Sequence, residues 1–98
     1  MKAIFHREAL QEMIESARFY EQKAYGLGLD FLTAVEETTR YIEQFPEAGP
    51  LGRGSIRKRF VSGFPFTILY ELQHDCVFIA AVMHQHRRPG YWKPRLQG

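Results

Sequence analysis

The sequence predicts an α+β domain in the order β-α-α-β-β-β, an antiparallel helical hairpin packed on a mainly antiparallel sheet. Three observations predict it. Apolar residues recur every three or four positions from Leu10 to Ile42, and after Gly54 the period falls to two. Near the end, Cys76 to Met83 form an almost unbroken apolar run, the pattern of a strand covered on both faces and therefore lying mid-sheet. With 98 residues, the chain makes one domain, 1–98, around a single core.

Residues 2–5 are short and partly apolar, suited to a strand added at a sheet edge. Over residues 6–24, Leu10, Met13, Ile14, Ala17, Tyr20 and Ala24 form one stripe while Glu8, Gln11, Glu12, Glu15 and Arg18 fill the other side, which predicts a helix. His6 is a poor capping residue, so this helix is expected to start on a weak cap, with Glu8 favouring its dipole. Gly26 and Gly28 interrupt the pattern. Leu32, Val35, Thr39, Ile42 and Phe45 then share a second helical face, which Pro46 ends. Two helices joined so tightly are antiparallel neighbours.

Residues 46–54 read as a loop from their Pro and Gly content. Strands follow at 55–61, 66–72 and 76–84, separated by short turns, and so form an antiparallel meander. In the middle strand Phe66, Ile68, Tyr70 and Leu72 share one face, Thr67, Leu69 and Glu71 the other. One face meets the helices. No helix remains for the second, which is expected to stay open beside a basic rim, with the folded part ending at about Pro89.

The single cysteine, Cys76, excludes an intrachain disulfide and a cysteine-based zinc site, which fits a reducing cytosol. No apolar stretch approaches the roughly 20 residues of a membrane span, and no leader-like segment precedes the first strand, so a cytoplasmic protein without membrane contact is expected. Net charge is only +2, but the acids concentrate in the first half and Arg53, Arg57, Lys58, Arg59, Arg87, Arg88, Lys93 and Arg95 in the second. This asymmetry fits a basic face for an acidic partner, and it equally fits a solvated charged surface.

Arg57 and Arg59 project from the same side of their strand and can grip phosphates or carboxylates as forks. Charges on an edge strand also prevent sheet-to-sheet association. Where the apolar strand leaves the core come His84, His86, Arg87, Arg88, Tyr91 and Trp92. Histidine, with an ordinary pKa of about 6.5, suits proton transfer at a ribose hydroxyl, and arginines suit the charge of a pentavalent phosphate. A strand-end histidine with hydrogen-bonded nitrogens and aromatic rings packed on a sheet edge account for the same residues without catalysis. The two histidines have no acidic or cysteine companion, so neither a metal nor another cofactor is expected.

The order of elements resembles the RelE/ParE superfamily of toxins from type II toxin-antitoxin modules, often labelled plasmid stabilisation proteins. The resemblance is carried by Ile56 and Arg57 leading to Phe64, Pro65 and Phe66, by Ile68, Leu69 and Tyr70, by Phe78 to His84, and by the ending Arg87, Arg88, Pro89, Gly90, Tyr91, Trp92. It implies the RelE/ParE toxin fold and a growth-inhibiting cytoplasmic toxin wrapped by a cognate antitoxin, in a heterotetramer or larger complex. RelE-like members cleave messenger RNA in the ribosome without a metal; ParE-like members poison DNA gyrase and are not nucleases. The resemblance places Arg57 or Arg59 near the first arginine of the nuclease pattern, Arg87 near the second and Tyr91 near the terminal tyrosine; if the chain is a nuclease, His84 joins them as a catalytic candidate on its own acid-base chemistry. Only Lys58 represents the lysine-rich part. The same arginines, with His86, Arg88, Tyr91 and Trp92, are the expected antitoxin- or target-binding residues. The modest charge, the long hairpin and the Pro-Gly-Tyr-Trp ending favour the ParE-like branch over the ribosome-dependent nuclease, with an inert binding module as the third reading.

Overall fold

The computed structural model describes residues 1–52 and 54–97; Arg53, one of the second-half cations, lies outside the described residues. Strand β1 (Lys2–Phe5) leads into helices α1 (Arg7–Lys23) and α2 (Leu27–Gln44). Strands β2 (Ile56–Phe60), β3 (Phe66–Gln73) and β4 (Cys76–His84) follow, then a C-terminal 3₁₀ helix, Lys93–Gln97. The sheet order is β1-β4-β3-β2: the meander is antiparallel, and β1 joins its far side parallel to β4, Lys2 opposite Cys76 and Phe5 opposite Ile79. The apolar run thus lies inside the sheet, as its composition predicts.

The start of α1 corrects one expectation. His6 is an effective cap, because its Nδ1 accepts the Glu8 N–H at 3.0 Å. The hairpin turn works by a related device. Gly26 adopts φ +84°, a region that favours glycine, and the Glu21 carboxylate accepts the N–H groups of Gly26 and Gly28 at 3.0 and 2.9 Å. A side chain at the end of α1 therefore satisfies orphan donors at the start of α2. A Cβ on Gly28 would run into the Ala17 carbonyl, so glycine there sets how closely the helices approach.

The core lies between the hairpin and one sheet face. Phe31 is its centre, with ring centroids 5.3 Å from Tyr20, 5.2 Å from Phe64 and 4.8 Å from Phe66. Thr38 and Thr39 bury their hydroxyls by donating to the carbonyls of Ala34 and Val35, both at 2.8 Å. The buried stripe of α1 is rotated from the expected one. Ala9 and Ala17 face inward with Met13 and Tyr20, while Leu10 and Ile14 stay 41% and 39% exposed. Phe45 is exposed as well, beyond the last turn of α2.

Pairing between β3 and β4 slips at one point, Leu69 facing Ala81 while Tyr70 faces Ile79, which makes Ala80 the extra residue of a β-bulge. The slip changes the parity of β4. Val77, Ile79 and Val82 all reach the helix-side core, while Ala81 and Met83 turn to the other face.

That other face is only partly open, which corrects a second expectation. Beyond Pro89 the chain remains folded, and Tyr91, Trp92 and Leu96 return to pack on Ile56, Leu69 and Ala81. Burial of two aromatic rings and a leucine drives this return, and the polar anchors described next hold it.

Candidate functional site

β1 turns away into α1 after Phe5, so among the described residues no strand pairs with β4 on that side beyond Ile79. Side chains take the strand's place. Glu12 of α1 accepts the Val82 N–H through Oε1 at 3.0 Å, and Arg95 of the tail donates to the Ala80 carbonyl at 3.0 Å. The two residues also pair with each other, and Glu12 Oε2 accepts the Tyr91 hydroxyl proton at 2.6 Å. With side chains only 13% and 9% exposed, Glu12 and Arg95 are the polar keystone tying the tail to α1 and the sheet.

The expected single cationic face does not form. Arg57 and Arg59 lie opposite Tyr70 and Ile68, on the helix side of β2. Arg57 Nη1 donates to the carbonyls of Glu47 and Gly49 at 3.0 and 2.9 Å, pinning the loop after α2. Arg59 lies 3.7 Å over the Tyr41 ring. Alternation along the strand separates these two from the tail cluster and leaves Lys58, opposite Leu69, on the other face.

The tail residues do come together. Arg87 stacks 3.9 Å over Tyr91 and stands 4.0 Å from Glu12. The His84 ring lies 5.1 Å from Phe66 and 5.3 Å from His86, and its Nδ1 accepts the His86 N–H at 3.1 Å. Trp92 is half-buried against the sheet, and Arg88 is exposed. Burial first, then the hydrogen bond from the phenol to Glu12 and the Glu12 charge, push the Tyr91 pKa well above the usual tyrosine value. The phenol is therefore protonated at neutral pH and committed as a donor.

Two cavities flank Arg87. One, of about 340 Å³, opens between α1 and the end of β4 and is lined by Glu12, Glu15, Phe66, Val82 and His84. The other, of about 460 Å³, lies on the sheet face away from the helices. Ile56, Leu69 and Met83 form its floor, Trp92 one wall, and Lys58, Arg87 and Lys93 its charged rim. Sequence reasoning left Glu12 and Arg95 out of the site. Glu12 reads there as one of several solvent-facing acids on α1, and only its position three residues after the buried Ala9 hints otherwise. Lys93 was legible only as part of the basic second half.

Among the described residues, no helix is long and apolar enough to cross a membrane. Comparison with known proteins agrees with the resemblance drawn from the sequence. Residues 3–89 match the family described as the ParE toxin of the type II toxin-antitoxin system parDE. No curated protein matches. A solved structure titled as the chromosomal ParDE toxin-antitoxin system from P. aeruginosa is similar in fold, with a TM-score of 0.72 at 15% identity, covering 86% of this chain and 95% of that one.

Proposed function

Because the chain belongs to the ParE toxin family and is the toxin component of a type II toxin-antitoxin module, we propose that it inhibits growth by binding a protein target in the cytoplasm, DNA gyrase, rather than by cutting RNA. The single observation that carries this reading is the engagement of the nuclease-like residues with the protein itself. Tyr91 donates to Glu12 and supports the Arg87 guanidinium, while Arg57 and Arg59 hold the loop and Tyr41 on the helix side. A metal-independent nuclease needs a free base and two arginines converging on one phosphate, and these groups do not converge. The test adds purified protein to gyrase and, separately, to translating ribosomes. Inhibited supercoiling with intact transcripts is expected; cleaved transcripts with normal supercoiling would overturn the reading.

One observation favours the ribosome-dependent nuclease as the second reading. The His84 and His86 rings lie 5.3 Å apart, and His84 and Arg87 line the same cavity. If that reading holds, Arg87→Ala abolishes transcript cleavage and leaves antitoxin binding in place.

An antitoxin partner follows from the family. Its docking surface in this proposal is the outer side of the hairpin, where Ile14, Ala17, Leu29 and Leu32 line a groove of about 290 Å³ beside the exposed Leu10. Co-expression with the neighbouring small reading frame is expected to yield a heterotetramer or larger complex by light scattering. Substituting Ile14 and Leu29 by Asp should disrupt it.

A further inference from the structure

The cavity on the sheet face away from the helices differs in its charge from the cavity beside α1 and from the hairpin groove. Lys58, Arg87 and Lys93 stand around it, and no carboxylate lines it among the described residues. The cavity beside α1 contains Glu12 and Glu15, and the hairpin groove contains Glu21. Beneath the three cations lies an aliphatic floor of Ile56, Leu69 and Met83, deep enough at about 460 Å³ to take a bulky side chain.

We propose that this concavity is where the toxin grips its protein target, by an acidic segment carrying one large apolar side chain. The inference rests on the reading that the target is bound and not cleaved. The apolar side chain fills the floor beside Trp92, and the flanking carboxylates meet Lys58 on β2 and Lys93 and Arg87 on the tail side. Charge complementarity selects such an occupant. Nucleic acid fits less well: sequence-tolerant strand binding uses exposed aromatic platforms and many phosphate contacts, whereas the floor is aliphatic, Trp92 is packed against the sheet, and the rim has three cations. The hairpin groove on the opposite layer gives the antitoxin a separate place.

The geometry also makes Glu12 a positioning residue. It touches nothing in the cavity, yet its bonds to Tyr91 and Arg95 hold the tail that supplies Trp92 and Lys93 as a wall.

The test is the double variant Lys58→Glu, Lys93→Glu, against a charge-matched control, Lys23→Glu, Arg40→Glu, that leaves the cavity intact. Both must keep the wild-type melting temperature. An array of short random-sequence peptides is probed with each protein, and gyrase supercoiling and antitoxin co-purification are measured in parallel. Wild type and control should select peptides with an aliphatic or aromatic residue flanked by Asp or Glu, and inhibit supercoiling. The cavity variant should lose that selection and weaken inhibition by roughly tenfold or more, with antitoxin binding retained.

Selection unchanged in the cavity variant, or no acidic preference in the wild type, overturns the proposal. Loss of antitoxin binding in the cavity variant overturns it in favour of the antitoxin as occupant. Tighter binding of a thymidine oligonucleotide than of any peptide overturns it in favour of nucleic acid. If the wild type selects acidic peptides but leaves gyrase untouched, the gyrase reading fails and the peptide site stands.

Discussion

Glu12 and Arg95, 83 residues apart, form a two-pronged ion pair with both contacts at 3.0 Å, and together they bond to the backbone edge of β4 where β1 has ended. A guanidinium matches a carboxylate in this fork geometry, and the same two groups continue a hydrogen-bond ladder that would otherwise stop. Arg95→Ala leaves a nearly buried carboxylate without its partner and the Ala80 carbonyl without its donor. The expected loss is about 3 kcal/mol in urea denaturation, with Trp92 fluorescence shifting to the red as the tail detaches. Arg95→Lys restores the charge without the fork and should recover only part of the loss.

Tyr91 sets an alkaline limit. Its folded pKa is raised above the unfolded value, so the folded state holds the proton more tightly than the unfolded chain does. The associated stability is complete below about pH 10, the ordinary tyrosine pKa, and falls as pH rises toward the folded value. Tyr70, also raised by burial, acts in the same direction. Denaturation midpoints should hold steady near neutrality and decline above about pH 10, and Tyr91→Phe should flatten part of the decline.

Arg57 should behave as a structural residue. Its guanidinium bridges the Glu47 and Gly49 carbonyls, close to where the Tyr70 hydroxyl donates to Pro46 at 2.9 Å. Arg57→Ala is expected to cost about 1–2 kcal/mol and lower the melting temperature by several degrees. At a temperature where the variant stays folded, growth inhibition should match the wild type; abolished toxicity there would place Arg57 in the working surface.

Glu43 guards the outer side of β1. Its carboxylate accepts the Ala3 N–H at 2.7 Å, and its main-chain carbonyl takes the N-terminal ammonium at 2.9 Å. Glu43→Ala uncovers a backbone donor on an edge strand. Sedimentation velocity should then show concentration-dependent association that the wild type lacks at equal concentration.

The sequence made the layers of this fold legible because each has a periodic signature: 3.6 in the hairpin, two in β3, and continuous apolarity in β4. It misjudged the rotation of α1 because small residues decide it. Ala9 and Ala17 allow close approach, and no hydropathy count weights them above Leu10 and Ile14. The bulge at Ala80 has no local signature within a run of alanine and valine. The candidate site was half legible. His84, Arg87, Tyr91 and Trp92 cluster because they are near one another in the chain, but Arg57 and Arg59 are separated from them by the side of β2 on which alternation places them. The bond between Glu12 and Arg95 joins distant segments and leaves no periodic trace.

The parallel pairing of β1 with β4 has a consequence for synthesis. Strand β1 finds its partner only when residues 76–79 emerge from the ribosome, and the tail that braces β4 comes later still. Helices can form early, but the assembled sheet must await residues 76–84. A chain still short of Trp92 and Lys93 therefore has no finished cavity on the sheet face away from the helices.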